Sequence, residues 1–397
     1  MKKMLIVMMH LGMGGAEKSL VNFLNELSPN DCKVDLLLFK KEGILLEQVP
    51  SWVNIIDTPR DVAVLYGSNP INKKEKYLKC IRYWGTLCAT MKTHNNERKQ
   101  FVRWKKYYTK HIDQLKEKYD IAISYVSGEI MNYVVEKVDA PFKATWVHTD
   151  YKASKGCPKD DEYYFEKLNK IITISDSCVN SIKDSFSQNT IKQKVICLPN
   201  IVSAAFVKKL AEVKVDDAYQ ERKSFKILSI GRLENVKGFD MAVVAAKILQ
   251  DKKIDFEWLI IGEGSERKNL ETLIGKYALN NKMKLLGLKD NPYPYLKGCD
   301  IVVQSSRFEG KSIALDEAKI FGKPIISTNY PTVYDQLSKD EGMITEMNPE
   351  AIAEGISALY YNESHLKLIK EYLKSRNYGN ASDVNKYIYE LGIKEER

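Results

Sequence analysis

The sequence predicts an α/β protein of two successive domains, each a parallel sheet with helices between its strands, and three observations predict it. Short apolar runs of strand type alternate with helix-period stretches along nearly the whole 397-residue chain, the pattern of parallel sheets. The alternation opens with a strand at Lys3–Met9, a Gly-rich turn at Leu11–Gly15 and an amphipathic helix from Ala16 to Leu27, ending near Ser28-Pro29. It then restarts at Phe225, after a charged stretch from Ala204 to Ser224 whose weak strand pattern reads as a connection between domains.

In the first series, strands follow at Val34–Phe39, Val53–Ile56, Asp120–Tyr125, Lys143–Val147, Ile171–Ser175 and Val195–Leu198. The second series places them at Phe225–Ile230, Phe256–Ile261, Met283–Leu286, Ile301–Gln304 and Ile325–Thr328. The domains are accordingly expected over 1–203 and 204–381, followed by a helical stretch at 382–397. The opening MKKMLIVMMH has too short an apolar core for a secretory leader and runs into a Gly-rich turn, so it reads as a first strand. That turn, LGMGGAEKS, lacks the dinucleotide spacing because Glu17 stands where a third glycine belongs. Gly14 and Gly15 either let the backbone approach a sugar or phosphate closely or form a tight turn with no ligand.

Composition narrows the class further. Apolar residues make up 44% of the chain, enough for two cores, and no run approaches the ~18–20 apolar residues of a membrane span. Seven cysteines without a C-x-x-C pair fit free thiols in a reducing compartment, so a cytoplasmic location is expected. The net charge of +9 is concentrated: 71–118 holds 14 Lys/Arg against 4 Asp/Glu, a net +10. Within this basic insertion Tyr77, Ile81, Trp84 and Cys88 share one helical stripe, and Phe101, Trp104, Tyr108, Ile112, Leu115 and Tyr119 share another. Core packing accounts for such stripes. It does not account for the crowding of Arg98, Lys99, Arg103, Lys105, Lys106 and Lys110, which suits an anionic membrane surface or a nucleic acid. No recognised nucleic-acid-binding motif coincides with these residues, so no nucleic acid is expected.

The densest chemistry lies between Cys299 and Thr328, a strand, polar loop, helix and strand in turn. Glu309 falls in the loop and Glu317 in the helix expected over Ser312–Phe321, closed by Gly322 and Pro324. Two carboxylates so placed do not share one small metal site; they suit different parts of one elongated ligand. Ser312 suits an N-cap, and N–H groups at Gly310–Ser312 left unpaired at the helix start would favour an anion such as a diphosphate. Upstream, SIGRLENVKGFDMAV sets Arg232 and Lys237 between Gly231 and Gly238 just beyond a strand, where a guanidinium and an ammonium can both reach phosphate oxygens. IIGEGSERKNLETLI adds Gly262 and Gly264 at the next strand end. No Asp-x-Asp triplet occurs, so the two cations are the candidate replacement for a metal at a diphosphate. His148 ends the strand ATWVH, at the edge where open sheets bind ligands; a lone loop His is otherwise structural.

Together these segments resemble the family 4 retaining glycosyltransferases of the GT-B fold, as found in bacterial capsule and cell-envelope polysaccharide synthesis. The register Glu-seven residues-Glu appears as Glu309 and Glu317, and G-R-four residues-K-G as Gly231, Arg232, Lys237 and Gly238. The resemblance implies two Rossmann-like domains with parallel sheets facing across a cleft, the last helix crossing back onto the first. It assigns catalysis to Glu309, His148, Arg232 and Lys237, with Glu309 toward the donor hexose. Donor binding falls to Gly231, Gly262, Gly264, Leu288, Gly310, Lys311, Ser312 and Glu317, the last accepting from the ribose hydroxyls, and Gly14 and Gly15 form an acceptor-side loop. A nucleotide sugar, UDP-linked by preference, would give its hexose with retention to a lipid-linked or polysaccharide acceptor, with no cofactor and no metal, at the inner face of a membrane. Lys311 departs from the aromatic or aliphatic residue many relatives carry there and leaves the hexose open. A nucleotide-sugar epimerase of the same architecture and a basic nucleic-acid-binding protein are the alternatives.

Overall fold

The computed structural model describes residues 1–12, 14–213 and 224–394. They fall into two compact units, Met1–Gly12 with Ala16–Asn200 and Ser382–Arg397 in one, Met13–Gly15 with Ile201–Ala381 in the other. The two-domain α/β expectation holds. Part of the expected connection, 214–223, and the end of the C-terminal stretch, 395–397, lie outside the described residues. The connection begins with a helix, Ala204–Leu210, which the Ser203 side chain caps at the Phe206 N–H.

The first unit is built on seven parallel strands: β1 (Lys3–Met8), β2 (Lys33–Leu38), β3 (Asn54–Ile56), β4 (Ile121–Ser124), β5 (Phe142–Val147), β6 (Lys170–Thr173) and β7 (Val195–Cys197). They lie in the order β3-β2-β1-β4-β5-β6-β7. The central strands are apolar on both faces because helices cover both, so Met4 to Val7 are buried without alternation. Strand order reverses between β1 and β4, and in open α/β sheets the crevice at such a point receives ligands. The helix Val384–Glu390 belongs to this unit; Tyr387 packs on Phe23 and Trp146 and donates to the Pro199 carbonyl at 2.5 Å.

The second unit holds six parallel strands: β8 (Phe225–Ile230), β9 (Phe256–Ile261), β10 (Met283–Leu285), β11 (Ile301–Gln304), β12 (Ile325–Thr328) and β13 (Gly342–Thr345), ordered β10-β9-β8-β11-β12-β13. Two cores flank this sheet. Ile227, Trp258, Ile260 and Val303 point into one, Leu228, Leu259, Ile261 and Val302 into the other, the period-two alternation of strands buried on both sides. The order here reverses between β8 and β11.

The basic insertion corrects an expectation. Its long helix, Lys73–Lys92, buries Glu75, Leu78, Gly85 and Ala89, whereas Tyr77 and Trp84 of the expected stripe are exposed and Ile81 and Cys88 are half-buried. Packing here is through small residues: a Cβ at Gly85 would stand 2.9 Å from Tyr107 Cβ, so only glycine allows the approach. The second stripe does enter the core. Trp104, Tyr108, Ile112 and Tyr119 are buried, over a helix Asn96–Arg103 and a π-helical turn Trp104–Tyr108. Arg103 is thereby unavailable to an external anion, because it forms a two-pronged pair with buried Glu129, at 2.8 and 2.5 Å.

Candidate active site

At the carboxyl end of β8 the chain turns through Gly231 and Arg232 and forms a 3₁₀ turn, Asn235–Lys237, before the helix Phe239–Asp251. Gly238 closes that turn with φ +63°, and its bare Cα lies so near Ser305 that a Cβ would stand 2.0 Å from the Ser305 carbonyl oxygen. This close approach joins the loop after β8 to the loop after β11, and the Ser305 hydroxyl reinforces it by donating to the Lys237 carbonyl at 3.0 Å. A residue not singled out from sequence, Arg307, completes the join. Its guanidinium grips both Asp240 oxygens at 2.8 and 2.6 Å and donates to the Asn235 carbonyl at 2.6 Å. The Arg307 hydrogen bond holds the Asp240 carboxyl below its usual range.

This scaffold brings Lys237 to Glu309 across the reversal point between β8 and β11. The ammonium donates to Glu309 Oε1 at 2.5 Å, and the same oxygen accepts from Ser306 Oγ at 2.6 Å and Gln304 Nε2 at 2.7 Å. Glu309 Oε2 receives no protein donor among the described residues, so it remains able to accept from a ligand hydroxyl. The Lys237 stem lies over Gly231, where an added Cβ would meet Lys237 Cδ at 3.5 Å. Arg232 is exposed beside it, and its guanidinium is unpaired among the described residues.

The remaining expected donor-site residues distribute around this pair. Gly262 and Gly264 lie in the loop after β9, where the Gly262 N–H donates to the Gly287 carbonyl at 2.9 Å and the Leu233 N–H to the Glu263 carbonyl at 2.8 Å. Leu288 is exposed just beyond. Gly310 and Lys311 lead into the helix Ile313–Ile320, with the Lys311 ammonium 3.7 Å from Asp316. Ser312 occupies the N-cap position, but its N–H is not open as expected: buried Gln336 accepts it at 3.0 Å, while the Ser312 hydroxyl turns to Gln304 Oε1 at 3.0 Å. The structure therefore withdraws one N–H from the expected anion site. Glu317 is fully buried and accepts from the Tyr293 phenol at 2.8 Å. Burial, then the Glu317 charge, pushes the Tyr293 phenol well up. Tyr293 lies in the KDNPYPYL segment, a sequence too short to show which of its aromatic rings turns inward.

Beyond the carboxyl end of β1, Gly15 opens the helix Gly15–Glu26 and Gly14 precedes it; from Ala16 onward the helix belongs to the first unit. His148 follows β5, and its Nε2 lies 2.9 Å from the Tyr125 carbonyl beyond β4. A carbonyl only accepts, so Nε2 carries the proton and Nδ1 is left with the lone pair. Burial pushes the imidazole down to about 4, hence the ring is neutral at pH 7.

Comparison with known proteins shows where this arrangement recurs. Residues 212–376 match the profile of a family described as "Glycosyl transferases group 1". An uncharacterized glycosyltransferase of Methanocaldococcus jannaschii is 30% identical over 171 residues, 43% of this chain and 42% of that protein. A Campylobacter jejuni N-acetylgalactosamine-N,N'-diacetylbacillosaminyl-diphospho-undecaprenol 4-alpha-N-acetylgalactosaminyltransferase is 30% identical over 153 residues, 38% of this chain and 41% of that one. The matched stretches thus span less than half of these relatives. Among solved structures, S. aureus TarM aligns over 99% of this chain and all of its own with a TM-score of 0.68 at 15% identity. HepE of Anabaena in complex with UDP-glucose aligns over 98% of both chains with a TM-score of 0.68 at 14% identity. At these identities the likeness establishes the fold, two α/β domains of GT-B type.

Proposed function

We propose that this chain, whose residues 212–376 form a glycosyl transferases group 1 domain with relatives in bacterial polysaccharide biosynthesis, is a retaining, metal-independent hexosyltransferase of family 4 type. It takes its hexose from a nucleotide-diphosphate sugar, UDP-linked by preference, and gives it to a lipid-linked or cell-envelope polysaccharide acceptor at the inner face of a membrane. The preference for UDP draws on the UDP and UDP-glucose bound to HepE.

The observation that carries this reading is the Lys237–Glu309 pair at the reversal point of the second sheet, with unpaired Arg232 beside it. As the glycosidic C–O bond breaks, the leaving diphosphate gains negative charge, and cations aimed at its oxygens stabilise the transition state more than the ground state. Lys237 and Arg232 supply that charge. One Lys237 N–H is occupied by Glu309 and two remain for phosphate. Glu309, fixed through Oε1 by three donors, turns Oε2 to a hexose hydroxyl and keeps the sugar in register with its diphosphate. Glu317 and Tyr293 form the buried end that meets the ribose. In the first unit, His148 is neutral and donates through Nε2 to the Tyr125 carbonyl, which leaves Nδ1 as an acceptor. Retention follows if the departing phosphate itself takes the acceptor proton on the face it leaves. No helix among the described residues is long and apolar enough to cross a membrane.

The test is a transfer assay across UDP- and GDP-hexoses in EDTA, with the anomeric configuration of the product read by NMR. Transfer with the donor's anomeric configuration is expected. An inverted product would overturn retention, dependence on added magnesium or manganese would overturn the role given to the two cations, and epimerised donor without transfer would replace the reading by the epimerase.

A further inference from the structure

We propose that the first unit carries a phosphate site for a membrane-borne lipid phosphate, a pocket joined to an exposed apolar seam on the helix Lys73–Lys92. The inference rests on the glycosyltransferase reading and narrows its acceptor to a lipid (di)phosphate. The pocket, of about 470 Å³, lies at the carboxyl ends of β1 and β2, where Met9 and Lys40 enter its wall, and Tyr66, Arg82, Tyr83 and Arg103 complete it. Arg103 is spoken for by Glu129, but the other two cations are not neutralised inside the pocket. Arg82 makes long contacts to the Val64 carbonyl at 3.3 Å and the Tyr83 hydroxyl at 3.4 Å and lies over the Tyr83 ring at 5.0 Å, and among the described residues no carboxylate pairs with it. Among the described residues the carboxylate near Lys40 is Glu42, 3.9 Å away and largely exposed. Two cations sharing one pocket lining with Met9 and Leu65 are the chemistry of an anion site.

The helix that contributes Arg82 and Tyr83 continues outward into the seam. Tyr77, Cys80, Trp84, Leu87 and Met91 recur at alternating three- and four-residue steps, so they form one stripe along the helix. Tyr77 is 55%, Trp84 62%, Leu87 52% and Met91 79% exposed, where the equivalent stripe of a core-facing helix would be covered. Exposed Lys73, Lys74, Lys76 and Lys92 bracket it. Interfacial aromatics framed by lysines complement an anionic bilayer surface, each cation near such a surface adding to the attraction. Tyr83, 60% exposed, belongs to both the pocket wall and the outward face, and so links a site for a phosphate to one for hydrocarbon.

Flotation of the full-length protein tests this, using phosphatidylcholine vesicles doped either with a long-chain prenyl phosphate or with phosphatidylglycerol at matched surface charge. The parent is expected to favour the prenyl phosphate about tenfold, the scale of one charge-assisted hydrogen bond. Arg82→Gln and Lys40→Gln are expected to abolish that preference while keeping vesicle binding, and Trp84→Ser with Leu87→Ser to release the protein from both vesicle types. UDP titration of every variant reports the second unit separately: intact nucleotide binding with no lipid preference in the parent overturns this proposal alone, whereas loss of nucleotide binding in the parent strikes the underlying enzyme reading. Inorganic phosphate bound through Arg82 without any lipid preference would make the pocket a free-anion site and overturn the lipid assignment. Self-association that Trp84→Ser and Leu87→Ser disperse, without vesicle binding by the parent, would show the seam to be covered by a second copy and overturn it equally.

Discussion

The two units place very different chemistry at equivalent points of their sheets. Where strand order reverses between β8 and β11, a lysine, a glutamate, a glutamine and a serine interlock, with an arginine clamp joining the two loops and, in the loop after β8, an exposed arginine unpaired among the described residues. Where it reverses between β1 and β4, the loops bring glycines and, from β5, a neutral histidine whose Nε2 donates to the Tyr125 carbonyl. One architecture therefore presents a cross-braced lysine–glutamate site in one unit and glycine turns with a neutral histidine in the other. On the proposed function, the sheet supplies only the position, and the loops decide whether a leaving anion or a neutral hydroxyl is served there.

The largest expected effect breaks the comparison on its charged side. Lys237→Ala is expected to cost roughly 2–4 kcal/mol of transition-state stabilisation, read as kcat/KM, because it removes a donor aimed at the developing diphosphate charge. His148→Ala should cost less if its ring orients rather than neutralises; equal losses at both positions would erase the distinction. The two carboxylates of the second unit should then separate. Glu309→Gln should retain nucleotide affinity and lose transfer, while Glu317→Gln, whose Oε1 takes the Tyr293 phenol, should weaken nucleotide binding itself by about 1–3 kcal/mol. Identical behaviour of the two variants in titration and turnover would contradict the division of the donor between them.

A smaller effect sharpens the bracing argument. Arg307→Ala should lower turnover by about 1 kcal/mol, since the Asp240 pair is half exposed, and Arg307→Lys should not restore it because an ammonium lacks the guanidinium fork. The smallest concerns His148 and stability. Its imidazole sits near 4, below the ordinary 6.5, so the unfolded chain binds the proton more readily and stability falls as pH drops from about 6.5 toward about 4. The slope is at most ~1.4 kcal/mol per pH unit, and His148→Gln should flatten that window in denaturant titrations; an unchanged pH profile would show that the ring is not held neutral by the fold.

Much of this was legible in the residues, for identifiable reasons. Strands of a parallel sheet are buried on both faces, so runs such as FKILSI and FEWLII stand out, and their limits match β8 and β9. β13, GMIT, did not stand out, being a short edge strand with two apolar residues. The site residues could be singled out one loop at a time, but the pairing of Lys237 with Glu309 spans 72 residues and depends on β8 lying beside β11. The insertion misled because aromatic residues at helical spacing usually mark a core. On Lys73–Lys92 the buried side is the one with Gly85 and Ala89, and the bare Cα of Gly85 lets Tyr107 pack closely. Only the fold reveals that Trp104 is buried and Trp84 is not.

In the proposed function the second unit's cations hold a nucleotide diphosphate without help from a metal. Calorimetric titration of UDP and GDP in EDTA into the parent, Glu309→Gln and the Arg232→Ala/Lys237→Ala double variant tests it most directly. The account predicts selective binding of one nucleotide by the parent, near-parent affinity in Glu309→Gln, and a loss of roughly a hundredfold in the double variant, about the strength of two charge-assisted contacts. Equal affinity in all three proteins, or binding only when a divalent cation is restored, would contradict it.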